Sequence, residues 1–241
     1  GKTTTLYSIL KYVDSAEDNI VTVEDPVEYQ LEGINQVSIR PEIGLTFAAC
    51  LRSILRQDPD VIMVGEIRDF ETVDVAIKSA LTGHLVLSTL HTTTASGSVI
   101  RLINMGVEPF LITSSLICIV NQRLVRKVCE SCKESYVLTD AMIENLGLKR
   151  GKIPLTAFRG KGCKKCFNIG YSGRIVIAEV LSFTSIIREL VLKRAQEHEL
   201  KAAARKEGMQ TLRENGIAKA LEGVTSLEEI LRLTAPDEKV E

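Results

Sequence analysis

The chain opens Gly1-Lys2-Thr3-Thr4-Thr5, the back half of a G-x-x-x-x-G-K-[ST] phosphate loop. In such a loop Lys2 places a cation against the β- and γ-phosphates of ATP, and the Thr3 hydroxyl reaches Mg2+. Gly1 and Thr4 join them as candidate cofactor-binding residues. A helix start with a solvated Lys is the bland alternative, and the acids downstream weigh against it. Glu66 follows the apolar run Val61-Ile62-Met63-Val64 and Gly65. That is where a carboxylate orients or deprotonates an attacking water. The Asp that usually supports Mg2+ at such a strand end is replaced by Gly65. Glu24, Asp25 and Glu28 are then the acids placed to help hold the ion, against the reading of an ordinary acidic turn around Pro26.

His84 and His91 bracket a third apolar run, and their spacing does not make a metal pair. His91, at the carboxyl end and followed by three threonines, is the candidate γ-phosphate sensor; His84 is read as a cap. Arg52, Arg56 and Arg101 either neutralise transition-state charge, in their own site or a neighbouring subunit's, or serve as ordinary ion-pair partners. Cys129-x-x-Cys132 and Cys163-x-x-Cys166, thirty residues apart, offer four thiolates in two chelating pairs. Tetrahedral Zn2+ takes this ligand set, and a closed four-sulfur site is structural. Two disulfides or a redox C-x-x-C are the alternatives. Cys50 and Cys118 lie in apolar stretches read as helical and are expected to be inert core residues.

These side chains need a scaffold. Thr3–Val13 reads as the helix after a phosphate loop, with Leu6, Ile9, Leu10 and Val13 on one face. Ile20–Val23, Val61–Val64 and Leu85–Leu87 read as buried strands. Thr46–Gln57 reads as a helix that carries Arg52 and Arg56 on one face and stops at Asp58-Pro59. The helix after Glu66 has Asp69 as N-cap and Gly83 as its stop. Strand, helix, strand, helix with short links predicts a mainly parallel sheet covered by helices, whose carboxyl-terminal edge carries Glu24, Glu66 and His91. Gly147–Gly162 reads as an irregular excursion between the cysteine pairs. Ile175–Leu181 is strand-like, only helices follow, and Ser226 with Glu229 spells a capping box for the last of them.

Composition narrows the partners. With 30 Lys+Arg against 31 Asp+Glu the net charge is −1, so no basic surplus points to nucleic acid. The longest apolar stretch, Val107–Val120, contains Glu108 and Pro109 and is too short to span a bilayer.

Several of these segments resemble one family closely. Thr22–Tyr29 (TVEDPVEY), Leu51–Asp69 (LRSILRQDPDVIMVGEIRD) and Thr82–Ala95 (TGHLVLSTLHTTTA) are similar to the Asp box, Walker B region and His box of the secretion ATPases that power type II secretion and type IV pilus assembly. The tetracysteine element is shared by the assembly and secretion members and not by the retraction ones. One departure is Thr93-Thr94, where the family commonly has Asn-Asp. The resemblance implies an α/β fold with a RecA-like P-loop ATPase core. It further implies a homo-hexameric cytoplasmic motor, docked on an inner-membrane platform, that uses ATP and Mg2+ to extrude pilin-like subunits. The expected division is a core over 1–127, a zinc-binding element over 128–170, and a strand with a helical subdomain over 171–241. The chain is expected to be a piece of a longer protein, inactive by itself. The strand that would precede Gly1 is expected inside the sheet, between the acid-bearing strands. A nucleic-acid translocase on a related core and a non-catalytic zinc-bearing adaptor are the rival readings.

Overall fold

The computed structural model describes residues 1–15, 17–149 and 154–237. Contacts divide the chain into two units, Gly1–Ile119 with Leu181–Ala204 and Val120–Val180 with Arg205–Glu241.

The first unit is built on a parallel sheet in the order β2-β1-β3-β4, formed by β1 (Ile20–Glu24), β2 (Asn35–Ser38), β3 (Val61–Val64) and β4 (Leu85–Ser88). Every residue of β1 and β3 is buried, as expected of strands covered on both faces. Alternation sends Val21, Val23, Ile62 and Val64 into one cluster with Phe47, Leu51 and Ile54 of α2 (Phe47–Ile54). Ile20, Val61 and Met63 enter the other, with Leu6, Tyr7 and Leu10 of α1 (Lys2–Val13). α3 (Phe70–Leu81) begins at Asp69, whose side chain accepts from Thr72 N at 2.8 Å. α4 (Ala95–Asn104) begins at Thr94, which accepts from Gly97 N at 3.0 Å. α5 (Pro109–Ser115) follows, and the first unit later regains α7 (Ser185–Leu192) and most of α8 (Glu197–Lys206).

The second unit holds two two-stranded sheets, β5 (Cys118–Val128) with β8 (Tyr171–Ser182), and β6 (Lys133–Val137) with β7 (Thr156–Gly160). Val125, Leu138, Ala157 and Ile177 meet Ile217, Ala220, Leu227 and Ile230 of α9 (Leu212–Leu221) and α10 (Leu227–Leu233) in its core. α6 (Asp140–Asn145) lies between β6 and β7 in sequence.

Several sequence expectations are corrected here. β1 and β3 pair directly, and each has both edges taken, so no further strand fits between the two acid-bearing strands. α2 ends at Ile54, which leaves Arg56 in the following turn and not on a shared helical face with Arg52; the chain turns at Asp58, whose φ is 43°. Part of Gly147–Gly162 is regular: Thr156–Gly160 pairs antiparallel with Lys133–Val137, because alternation places Ala157 in the core. Residues 150–153 of that stretch lie outside the described ones. The apolar run around Cys118 divides into α5 and β5, and Cys118 is exposed, not a core residue. The boundary drawn at 127/128 falls inside β5, and α7 belongs with the first unit rather than with a C-terminal subdomain. Ser226 caps α10, but Glu229 turns away to two arginines; the reciprocal box is at Thr211 and Glu214, opening α9.

Candidate functional site

The carboxyl ends of β1, β3 and β4 open on a cleft of about 220 Å³. Lys2, Thr3, Glu24, Asp25, Glu28, Glu66 and His91 line it, together with Gly65, Thr89 and the apolar Phe47 and Met63. The sequence-named residues Gly1 and Thr4 sit at the same helix start without lining the cleft. No side chain caps the first turn of α1, so its N–H groups stay available to an anion.

Glu66 stands between two basic side chains at the end of β3. Its Oε1 accepts from an Arg68 guanidinium nitrogen at 2.5 Å, and its Oε2 lies 3.0 Å from His91 Nε2. The Arg68 hydrogen bond holds the Glu66 carboxyl below the usual carboxylate range against partial burial, with His91 adding to it. An ionised carboxylate only accepts, so Nε2 carries the proton of the His91 contact. Arg68 also stands 3.8 Å from Asp25 Oδ2, which links the acidic turn to the end of β3. Thr89 Oγ1 donates to the Gly65 carbonyl at 2.8 Å and ties β4 to the same corner.

Gly65 has a steric explanation. A Cβ there would lie 3.2 Å from the Val23 carbonyl oxygen and 3.4 Å from Glu24 Cα, because β1 passes close behind it. A side chain at 65 would therefore need β1 to give by a few tenths of an ångström. The cleft's acids are Glu24, Asp25, Glu28 and Glu66. Among them Glu24 is 3% exposed and already accepts from Tyr7, Thr22 and Gln36. Asp25 is exposed, and Glu28 also lines the cleft.

The arginines named from the sequence stand elsewhere. Arg52 pairs with Glu71 at 2.7 Å on the exposed side of α2, and neither Arg56 nor Arg101, in the last turn of α4, lines the cleft. His84 caps α3 as expected, its Nδ1 2.9 Å from the Ser79 carbonyl oxygen. Arg68, Tyr7, Thr22 and Gln36 were not singled out in sequence. Arg68 sat in plain view two residues beyond Glu66; the other three fall inside apolar or unpatterned segments and become visible only through their contact with Glu24.

The second site lies within the second unit. Cys129 and Cys132 stand between β5 and β6, Cys163 and Cys166 between β7 and β8, and all four sulfurs fall within 4.8 Å of one another. Four sulfurs at 2.3 Å from one ion are about 3.8 Å apart in a tetrahedron. The separations Cys129–Cys163, Cys132–Cys166 and Cys163–Cys166 are 4.0, 3.8 and 3.7 Å. The donor set therefore fits Zn2+, and all six cysteines are free of disulfides. The second pair is aimed by its own backbone: Cys163 N and Gly170 N donate to Cys166 Sγ at 3.2 and 3.3 Å. Burial raises the Cys166 thiol, but those N–H groups outweigh it and bring it down to about 6. Gly160 admits this turn, since a Cβ there would lie 2.0 Å from the Gly170 carbonyl oxygen.

Among the described residues no helix is long and apolar enough to cross a membrane. The chain is 52% identical over 240 residues to the type IV pilus assembly ATPase PilB of Myxococcus xanthus, covering 98% of this chain and 42% of that protein. It is 49% identical over 234 residues to the type II secretion system protein E of Pseudomonas aeruginosa, covering 97% of this chain and 46% of that protein. The chain thus spans less than half the length of these relatives. Among solved structures, that of the pilus retraction motor PilT with bound ADP superposes with a TM-score of 0.71 at 29% identity, over 98% of this chain and 58% of that one. Residues 1–232 match the family model described as Type II/IV secretion system protein, and the chain belongs to that family.

Proposed function

We propose that this chain is the ATP-hydrolysing part of a motor that drives extrusion of pilin-like subunits, in type II secretion or type IV pilus assembly. The observation that carries the reading is Glu66, kept ionised between Arg68 and His91 at the mouth of β3, in the same cleft as Lys2 and Thr3. Lys2 meets the negative charge of the β- and γ-phosphates, and Glu66 accepts a proton from, or orients, the attacking water. His91 and Arg68 keep that carboxylate aimed. Thr3, Asp25 and Glu28 are the residues that would hold Mg2+, which when bound neutralises charge on the phosphates. The names of these two relatives support both machines equally. On this reading the motor is a cytoplasmic homo-hexamer docked on an inner-membrane platform, with Arg52, Arg56 and Arg101, all clear of their own cleft, free to serve a neighbour's. The four cysteines hold one structural Zn2+.

The test is Glu66→Gln in the full-length protein. Turnover is expected to fall by roughly 10²-fold or more, the scale of a positioned acid–base group, with ATP affinity retained. Equal loss of binding and turnover would move Glu66 to a structural or metal-holding role, and unchanged turnover would remove the ATPase reading.

A further inference from the structure

The Tyr7 hydroxyl joins the acidic end of β1 to the phosphate-loop helix. Tyr7 lies in α1 with its side chain 1% exposed, edge-on to Tyr29 at 4.8 Å between ring centres. Its hydroxyl donates to Glu24 Oε2 and receives the Glu28 backbone N–H and the Gln36 amide, each at 3.4 Å. Thr22 Oγ1 and Gln36 Nε2 donate to the other oxygen of Glu24 at 2.6 and 3.0 Å. Leu31 N donates to Gln36 Oε1 at 2.6 Å, which fixes the amide with its N–H groups toward Glu24. Every partner of this carboxylate is a donor, so an ionised Glu24 is matched on both oxygens while it lines the cleft. A Phe would fill the space of the Tyr7 ring equally well. Packing explains the ring but not the hydroxyl.

We propose that Tyr7 is a positioning residue of the ATPase reaction: its hydroxyl fixes the Glu24 carboxylate in the cleft and ties the acidic turn to the helix that starts with Lys2 and Thr3. The proposal rests on the ATPase reading above. Because Lys2, Thr3 and Tyr7 share one rigid helix, the place where the phosphates are met and the place where Glu24 stands are set together.

The experiment is Tyr7→Phe in the full-length protein, assayed beside Glu24→Gln, the double variant and Glu66→Gln. Losing one donor to a buried carboxylate is expected to lower kcat about tenfold to a hundredfold while KM for ATP and the thermal midpoint hold. Acting through Glu24 means that the double variant turns over no more slowly than Glu24→Gln alone. Gln36→Met, at a half-buried position, removes a second donor to the same carboxylate along with the acceptor of Leu31 N, and should likewise lower kcat while KM for ATP holds. Wild-type kcat in both Tyr7→Phe and Gln36→Met, or losses that simply add in the double variant, would leave Tyr7 as a packing residue and overturn the proposal. If those variants are unaffected while Glu66→Gln is inactive, only this proposal falls; if Glu66→Gln turns over normally, the ATPase reading falls with it.

Discussion

In the cysteine cluster each chelating pair is separated by two residues, and backbone N–H groups of the same short loop aim the sulfur of Cys166. In the cleft at the carboxyl ends of β1, β3 and β4, Lys2, Glu24, Glu66 and His91 come from four separate segments; Glu66 is held by His91 and Arg68, and Glu24 by Tyr7, Thr22 and Gln36. The two regions also differ in how they treat charge. The Glu66 side chain is 16% exposed, between Arg68 and His91 at 61% and 68%. In the second unit Glu229 is 1% exposed and accepts from Arg126 at 2.6 Å and from Arg232 at 2.9 Å, with Arg126 also stacked 4.0 Å over the Tyr171 ring. A charge meant to act on a ligand must be reachable from solvent. A sealed one gains from low local dielectric where its partners satisfy it, as both Glu229 oxygens are satisfied, although Arg126 Nε stays buried without a partner.

Removing the metal tests that contrast most severely. A structural Zn2+ contributes on the order of 10 kcal/mol of folding free energy. Chelation or Cys163→Ser is therefore expected to take bound zinc from about one per chain to none and to open residues 129–166 to proteolysis. Protein that carries no zinc yet resists proteolysis there would show that the loops aim the sulfurs without help.

Glu229 sharpens the same contrast through pH. Burial disfavours its charge, but the Arg126 and Arg232 hydrogen bonds more than offset this and draw its pKa down to about 2. A carboxyl depressed in the folded state stabilises above its unfolded pKa, near 4.3, and loses that contribution as pH falls toward the folded value. The shift corresponds to roughly 3 kcal/mol. Urea unfolding of the wild type should weaken steeply from about pH 4.3 down to 2, and Glu229→Gln should flatten that slope while lowering stability at neutral pH. An unchanged slope in the variant would place the acid sensitivity in other carboxylates.

The smallest effect belongs to the first unit's surface. Arg52 and Glu71 form a pair whose side chains are 55% and 62% exposed. Arg52→Ala should change the unfolding free energy by less than about 1 kcal/mol. A larger loss would mean that α2 depends on this pair, whereas a loss of turnover with stability intact would fit service to a neighbouring subunit's nucleotide.

The sequence by itself named the charged residues that line the cleft, the four clustered cysteines and most of the elements that position them. The Gly1-Lys2-Thr3 run, the carboxylate after Val61–Gly65, the histidine after Leu85–Ser88 and the two C-x-x-C pairs are local patterns, and local patterns survive without a fold. So do the caps at Asp69 and Ser226, which act on N–H groups three residues away. Only the tertiary structure decided the rest. That β1 and β3 are neighbours, that a Cβ at Gly65 would crowd the backbone of β1, and that Arg68 joins Glu66 to Asp25 all depend on which strands pair. That Thr156–Gly160 is a strand depends on its partner β6, and that Cys118 is exposed depends on where α5 gives way to β5. The Tyr7–Glu24–Gln36 network is the clearest case. Its members stand 17 residues apart between Tyr7 and Glu24, and 12 between Glu24 and Gln36, in segments that read as an apolar helix, a strand and an unpatterned loop. Nothing local marks their contact, because a hydrogen bond between side chains of different elements leaves no periodicity in the chain and exists only once those elements have packed.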